Sequence, residues 1–202
     1  MAYIGLRKLN FWPISTPRVD GSAITYGSPV LLSPAVEANV SYDIANNPDH
    51  GDDVVIHNDK GINGYSIAME MDDISPEGRV ACLGWKELHD TATPPNVTGY
   101  RATDAMPPEG GLSYIRVKIL KDGSRKYEAF FYHALQCSSG GENASTKRSP
   151  IEWNHATMNA DGIGCYLDSS GEVAWFDMNV FGTEAAAVAY INGKAGYTPT
   201  TE

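Results

Sequence analysis

Five histidines, three cysteines and a few adjacent acid pairs are the residues of this 202-residue chain whose chemistry could exceed packing. His50, His57, His89, His133 and His155 never fall in an HxxxH-type spacing that would put two imidazoles on one metal. His133 and His155 lie on segments that read as strands, where a structural histidine is the simpler reading. Cys82, Cys137 and Cys165 are odd in number and lack a CxxC pair, so they read as reduced thiols and not as a disulfide framework or zinc site. None has the basic, helix-start setting that lowers a thiol pKa. No GxSxG elbow supports a serine nucleophile. Gly162-Ile163-Gly164 lacks a third glycine and a preceding strand–helix unit, so it is no dinucleotide loop. Thr157-x-Asn159-x-Asp161-Gly162, with Asp168 beyond, echoes a calcium loop. Its first ligand would be Thr and its last Asp, and strands flank it, so Asp161-Gly162 reads as an ordinary turn. Asp52-Asp53 and Asp72-Asp73 are neighbours in sequence and have no spacing that sets two carboxylates across a sugar ring. The expectation is a protein that is not an enzyme and carries no cofactor and no metal.

The acids point elsewhere. The net charge is -10. Between residues 43 and 73 stand Asp43, Asp49, Asp52, Asp53, Asp59, Glu70, Asp72 and Asp73 against Lys60 alone. Affinity for nucleic acid comes mainly from Lys and Arg neutralising phosphates, so this balance excludes a protein that grips a nucleic-acid backbone. A solvated acidic loop is the bland reading of the cluster.

The elements that must position these residues are short strands broken by Gly, Pro and Asn turns, the pattern of a sandwich or barrel. With 42% apolar and 20% charged residues the chain suits one globular domain over 1–202. Residues 3–12 predict a first strand. Residues 35–42 predict a second, with Val36, Ala38 and Val40 on one side and Glu37, Asn39 and Ser41 on the other. A long polar loop is expected over 43–63, a strand over 64–71, and a helix over about 75–88 with Ser75 as N-cap and Pro76 at its first position. Residues 112–136 predict a hairpin. A three-residue loop, Asp122-Gly123-Ser124, sets Ile119 against Tyr127, Val117 against Ala129 and Lys118 against Glu128. Residues 137–148 read as a mobile Gly/Ser-rich polar arm that includes Ser139, Gly140, Gly141, Glu142 and Asn143, and 149–158 as its partner strand. A second hairpin is expected over 163–181, then a small helix capped by Thr183. Residues 159–202 form a C-terminal extension. The longest apolar stretch, 185–191, is far short of a membrane span, and the N-terminus lacks a signal-peptide core, so membrane insertion and secretion are not expected. The Asn39, Asn96 and Asn143 sequons are then chance matches.

The succession of segments carries a resemblance. Ile4-Gly5-Leu6, the turn Thr25-Tyr26-Gly27-Ser28-Pro29, the strand 35–41 and the acidic segment come first. Ser66 to Asp72 then runs into the helix that ends near Leu83-Gly84. Residues 126–135, the polar arm and Ile151-Glu152-Trp153 follow. This order resembles that of the major tail tube proteins of siphophages, the bacteriophages with long non-contractile tails, over roughly residues 4–158. Residues 90–110 and those after Gly162 match less well.

The resemblance implies a mainly β sandwich or barrel-like fold with one flanking helix. It implies a structural virion protein, assembled in the bacterial cytoplasm, whose hexameric rings stack into a tube through which DNA is ejected. Its partners would be further copies of itself and other tail proteins: tape measure, tail terminator and distal tail. Double-stranded DNA would pass without specific binding. Asp43, Asp49, Asp52, Asp53, Asp59 and Glu70 would serve ring contacts and an acidic lumen, and residues 139–143 an assembly arm. Two other readings fit the residues: a β-sandwich module that binds carbohydrate or a host surface through its Tyr and Trp, and another head–tail structural protein. A hydrolase would need a convergent polar pocket that no motif announces.

Overall fold

The computed structural model describes residues 2–16, 24–32, 34–51, 54–142, 154–166 and 173–199. In chain order the elements are β1 (Ala2–Pro13), β2 (Val30–Leu31), β3 (Ala35–Gly51), β4 (Val54–Met71), α1 (Pro76–Leu83), β5 (Lys86–His89), β6 (Val97–Arg101) and β7 (Glu109–Ile119). They continue with β8 (Arg125–Glu142), β9 (Ala156–Gly162), β10 (Cys165–Tyr166), β11 (Val173–Ala174), β12 (Phe176–Phe181) and α2 (Glu184–Lys194). The mainly β expectation holds, with two helices.

β8 organises the fold. One edge pairs with β7 from Arg125 to Gln136. The other pairs with β12 over Tyr127–Tyr132 and with β9 from Leu135 onward. That change of partner at His133–Ala134 divides the main sheet into a β2-β1-β7-β8-β12 part and a β8-β9-β4-β3 part. Side chains alternate along a strand, so β7 and β8 present two apolar sets. Leu112, Tyr114, Phe130 and Tyr132 pack with Tyr65, Ile67, Met69, Met71 and Met158, under Cys82 and Leu83 of α1. Trp12, Ile115, Ala129 and Phe131 pack beneath Ala187 and Ile191 of α2. With both faces covered, β7 is buried without a break from Gly110 to Ile115.

The helices are placed by their caps. Ser75 Oγ accepts the Gly78 N–H at 3.0 Å, and Gly84 closes α1 in the left-handed region at φ 68°. The helix therefore stops at Leu83, short of the expected 88. Residues 86–89 instead pair with 97–101 as the small β5–β6 hairpin. Thr183 caps α2 as expected.

The β7–β8 register differs from the expected one by two residues: Ile119 faces Arg125, Val117 faces Tyr127 and Ile115 faces Ala129. The loop has three residues, but they are Lys121, Asp122 and Gly123, because Leu120 and Ser124 close it with a backbone bond. The geometry places the αL position at Gly123, φ 80°, where the expected register had Ser124. Asp122 Oδ1 receives both the N–H and the hydroxyl of Ser124. A shift of two preserves which face each side chain takes, so the two-sided pattern survives.

Three more expectations change. Residues 43–63 are not a loop but the paired outer halves of β3 and β4. Residues 137–142 of the polar arm are the end of β8, paired with β9 from Cys137↔Ala160 to Glu142↔Ala156. Asp161 and Gly162 end β9 and form no turn. Residues 143–153 and 167–172, which hold the rest of the arm, half of its partner strand and the second hairpin's turn, lie outside the described residues.

Candidate functional site

β4 pairs with β9 only from Ser66 to Met71, whereas its pairing with β3 continues to Gly51↔Val54. Among the described residues, the outer halves of the two strands therefore leave the sheet as a two-stranded ribbon. The sequence hides this element. Its Asn, Asp, Gly and Pro content reads as loop. Isolated hairpins are only marginally stable in water. Exposed Ile44 and Ile62, directly opposite each other, are the cross-strand pair that supports the ribbon near its foot.

At the ribbon's foot the sheet has two unlike faces. Val40, Tyr65, Ile67, Met158 and Ala160 look into the core. The opposite face carries Glu37, Asn39, Ser41 and Asp43 from β3, Ser66, Ala68 and Glu70 from β4, Thr157, Asn159 and Asp161 from β9, and Gln136 and Ser138 from β8. Its four carboxylates stand beside hydroxyls, amides and small groups, and none of these positions is Lys or Arg. Glu37 accepts from the Asn39 amide at 2.9 Å and Asp43 from the Asn63 amide at 3.1 Å. A shallow recess of about 380 Å³ at the foot holds Asp43 and Asp161 together.

The structure thus brings Asp43 and Glu70 onto one face, and adds Glu37 and Asp161, which the sequence reading did not single out. Glu37 was visible in the strand alternation; Asp161 was hidden by its reading as a turn. Asp49 and Asp59 lie on the ribbon strands, and Asp52 and Asp53 fall outside the described residues. Of the assembly-arm candidates, Ser139, Gly140, Gly141 and Glu142 belong to β8, and Asn143 lies outside. Gly140 is there for space, because a Cβ would meet Thr157 Oγ1 at 2.6 Å.

Two charged clusters lie elsewhere. Glu128, 5% exposed, accepts from Arg116 at 2.7 and 2.9 Å and from Lys118 at 3.2 Å. The Arg116 guanidinium lies 4.0 Å over the Tyr3 ring. Burial by itself would raise the Glu128 carboxyl, but the bonds and charges of Arg116 and Lys118 outweigh it and hold the group below its ordinary range. His133 is buried against Asp177, Nε2 to Oδ2 3.1 Å, and Asp177 also pairs with Lys194 of α2 at 2.7 Å. The Tyr26 hydroxyl donates to the His133 carbonyl at 2.8 Å and lies 3.5 Å from Nδ1. Burial lowers the His133 pKa more than Asp177 raises it. Both ring nitrogens face protein groups, and the arrangement ties β8, β12 and α2 together.

These clusters set the acid response. His133, with a depressed pKa, gives stability that is complete above its unfolded value, about 6.5, and is lost as pH falls from there toward its folded pKa. Glu128 adds a second loss below about pH 4, as pH falls through its depressed folded pKa. Thermal unfolding from pH 7.5 to 5 should show a falling midpoint in the wild type and a shallower fall in His133→Gln. Equal slopes would remove His133 from this account.

Cys82, Cys137 and Cys165 are all buried, and none is joined in a disulfide. Among the described residues no group of three or more His, Cys, Asp or Glu is placed to hold a metal ion, and no helix is long and apolar enough to cross a membrane.

No family model matches this sequence. No curated protein matches it either. Among solved structures, a chain from the cryo-EM structure of the anti-feeding prophage baseplate, six-fold symmetrised, aligns with it. The alignment covers 91% of this chain and 96% of that one at 9% identity, with a TM-score of 0.31. A likeness of that size carries no weight for function.

Proposed function

We propose that this protein is a structural, self-assembling component of a phage tail, and that its copies form stacked rings around a channel for DNA. The observation that carries the reading is the outward face of β8, β9, β4 and β3, whose charged groups are all carboxylates. A channel that lets DNA slide needs walls that repel phosphates and lack cations to hold them. This face, with short hydroxyl and amide side chains between the acids, meets both needs. The resemblance in segment order supplies the ring and the tube. Catalysis has no part in this reading, nor has a cofactor.

The ribbon supports the same reading. A two-stranded projection that gains little stability by itself is suited to contacts between copies. Negative-stain microscopy of the purified protein at high concentration is expected to show hollow striated tubes or rings. A variant in which Asn-Gly replaces residues 46–60, joining Ala45 to its opposite number Gly61, should keep the wild-type circular dichroism and lose the tubes. A wild type that stays monomeric at all concentrations and binds glycans would overturn the proposal in favour of a carbohydrate-binding module. Closed shells or single caps would point to another head–tail component.

A further inference from the structure

β1 bulges against β7 at Lys8 and Leu9, which both fall between the partners Arg7↔Ile115 and Asn10↔Ser113. Ile115 and Ser113 share a face of β7, so the extra residue sets Arg7 and Asn10 on one side of β1, the side that α2 covers. Leu9 enters the core at 1% exposure. Lys8 takes the left-handed region at φ 55°, the one non-glycine residue with a positive φ among those described. Glycine or asparagine adopts that conformation at lower cost, so the backbone gives no reason for a lysine there.

Its side chain supplies one. Beside the bulge, an open recess of about 340 Å³ lies between β1, β2 and α2. Leu31, Val188 and Ile191 give it aliphatic walls, and Lys8, Asn10, Asn192 and Tyr197 bring its polar groups. Small-molecule sites have this size and this make-up, an apolar lining with a few polar groups that fix orientation.

Charge selects the ligand. Arg7, one residue away, is paired with Glu184 at 2.7 Å, and Lys194 at the end of α2 is paired with Asp177 at 2.7 Å. Lys8 is the charged group of the recess, none of the lining residues is acidic, and among the described residues no carboxylate pairs with it. The last-turn carbonyls of α2 offer it little: Ile191 accepts from the Ala195 N–H at 3.1 Å and Asn192 from the Tyr197 N–H at 2.9 Å. An unpaired ammonium beside aliphatic walls suits an anion that carries an apolar part. A phosphate has no such surface to bury against Leu31, Val188 and Ile191. A sugar would set hydroxyls against them without partners. The carboxamides of Asn10 and Asn192, each donor and acceptor, suit an amide or hydroxyl between the two ends of the ligand.

We infer that this recess binds a small organic carboxylate with a branched aliphatic body, the carboxylate on Lys8 and the body against Leu31, Val188 and Ile191. The site stands on β1, β2 and α2, elements that carry none of the acidic face, and it is independent of the assembly reading.

N-acetyl-leucine, titrated into the full chain by calorimetry and followed by saturation-transfer NMR, tests it. N-acetylleucinamide lacks the charge, and N-acetylglycine lacks the aliphatic body. The acid should bind saturably and each analogue about ten-fold more weakly. Added salt should weaken binding of the acid and leave that of the amide unchanged. Lys8→Asn removes the charge and keeps a residue suited to the left-handed region, so the melting temperature should hold while the advantage of acid over amide disappears. Leu31 is 56% exposed on the two-residue strand β2, so Leu31→Glu should keep the fold and, by setting a second carboxylate in the recess, weaken the acid about ten-fold. If K8N unfolds, L31E decides. Absence of saturable binding by the wild type, equal binding of acid and amide, or undiminished binding by either folded variant overturns the site. Microscopy is read separately: tubes without binding sink this inference alone, and binding without tubes sinks the assembly alone.

Discussion

Gly162→Ala is expected to destabilise the protein by about 1–3 kcal/mol, the range for forcing an atom into a filled core site. Gly162 ends β9 opposite Leu135, and an added Cβ would overlap the ring of Tyr65. That ring has nowhere to go. It is 4% exposed, stands 5.1 Å from the Tyr132 ring and 6.0 Å edge-on from Trp175, and its hydroxyl donates to the Ala134 carbonyl at 2.9 Å. Moving it would break that bond and leave a buried phenol unsatisfied. Tyr65 is also the residue at which β4 leaves β9 to become the ribbon, so the substitution should loosen the ribbon's foot. Gly61→Ala is the control, because a Cβ there meets nothing within 4 Å. Urea titration should separate the two midpoints clearly, and similar midpoints would show that Tyr65 can move.

Removal of the Glu128 carboxylate is the second large effect. Breaking a buried ion pair from one side costs about 3–5 kcal/mol, because the remaining charge is stranded. Arg116 is 37% and Lys118 22% exposed on their side chains, so water screens what remains, and a loss of about 2–3 kcal/mol is expected for Glu128→Ala. Part of that loss is new repulsion, since Arg116, Lys118 and Lys126 then face one another without an anion between them. Glu128→Gln keeps the shape and some hydrogen bonding, and should lose less. The triple variant R116M/K118M/E128M should recover most of the stability, because apolar side chains of similar volume strand no charge in the group. If E128A alone proves harmless, the Arg116–Glu128–Lys118 group is a surface ornament and the Tyr3–Arg116 stack does not depend on it.

Local chemistry made several elements legible. Ser75, Pro76 and Thr183 announced helix starts because capping is a contact between residues three apart. The β7–β8 hairpin was legible because its alternation repeats on both strands, and the shift of two residues came from the turn's choice of Gly123 for the left-handed position. That choice depends on closure by Leu120 and Ser124 and not on pattern. The β5–β6 hairpin went unread because Gly84 ends α1 early, a matter of where one backbone torsion falls.

The candidate site divides in the same way. The sequence by itself determined that the charge is acidic, that it is concentrated between residues 43 and 73, and that 35–41 alternates apolar with polar. Composition and short-range periodicity suffice for those. It did not determine that 43–63 is a paired ribbon, because strand pairing of a two-sided polar segment leaves no periodic trace. Only the tertiary structure decided that Asp161, some ninety residues beyond Glu70, shares a face with Asp43, Glu37 and Glu70. That follows from register, and register is set by which distant strands meet, a long-range choice that no local window of residues contains.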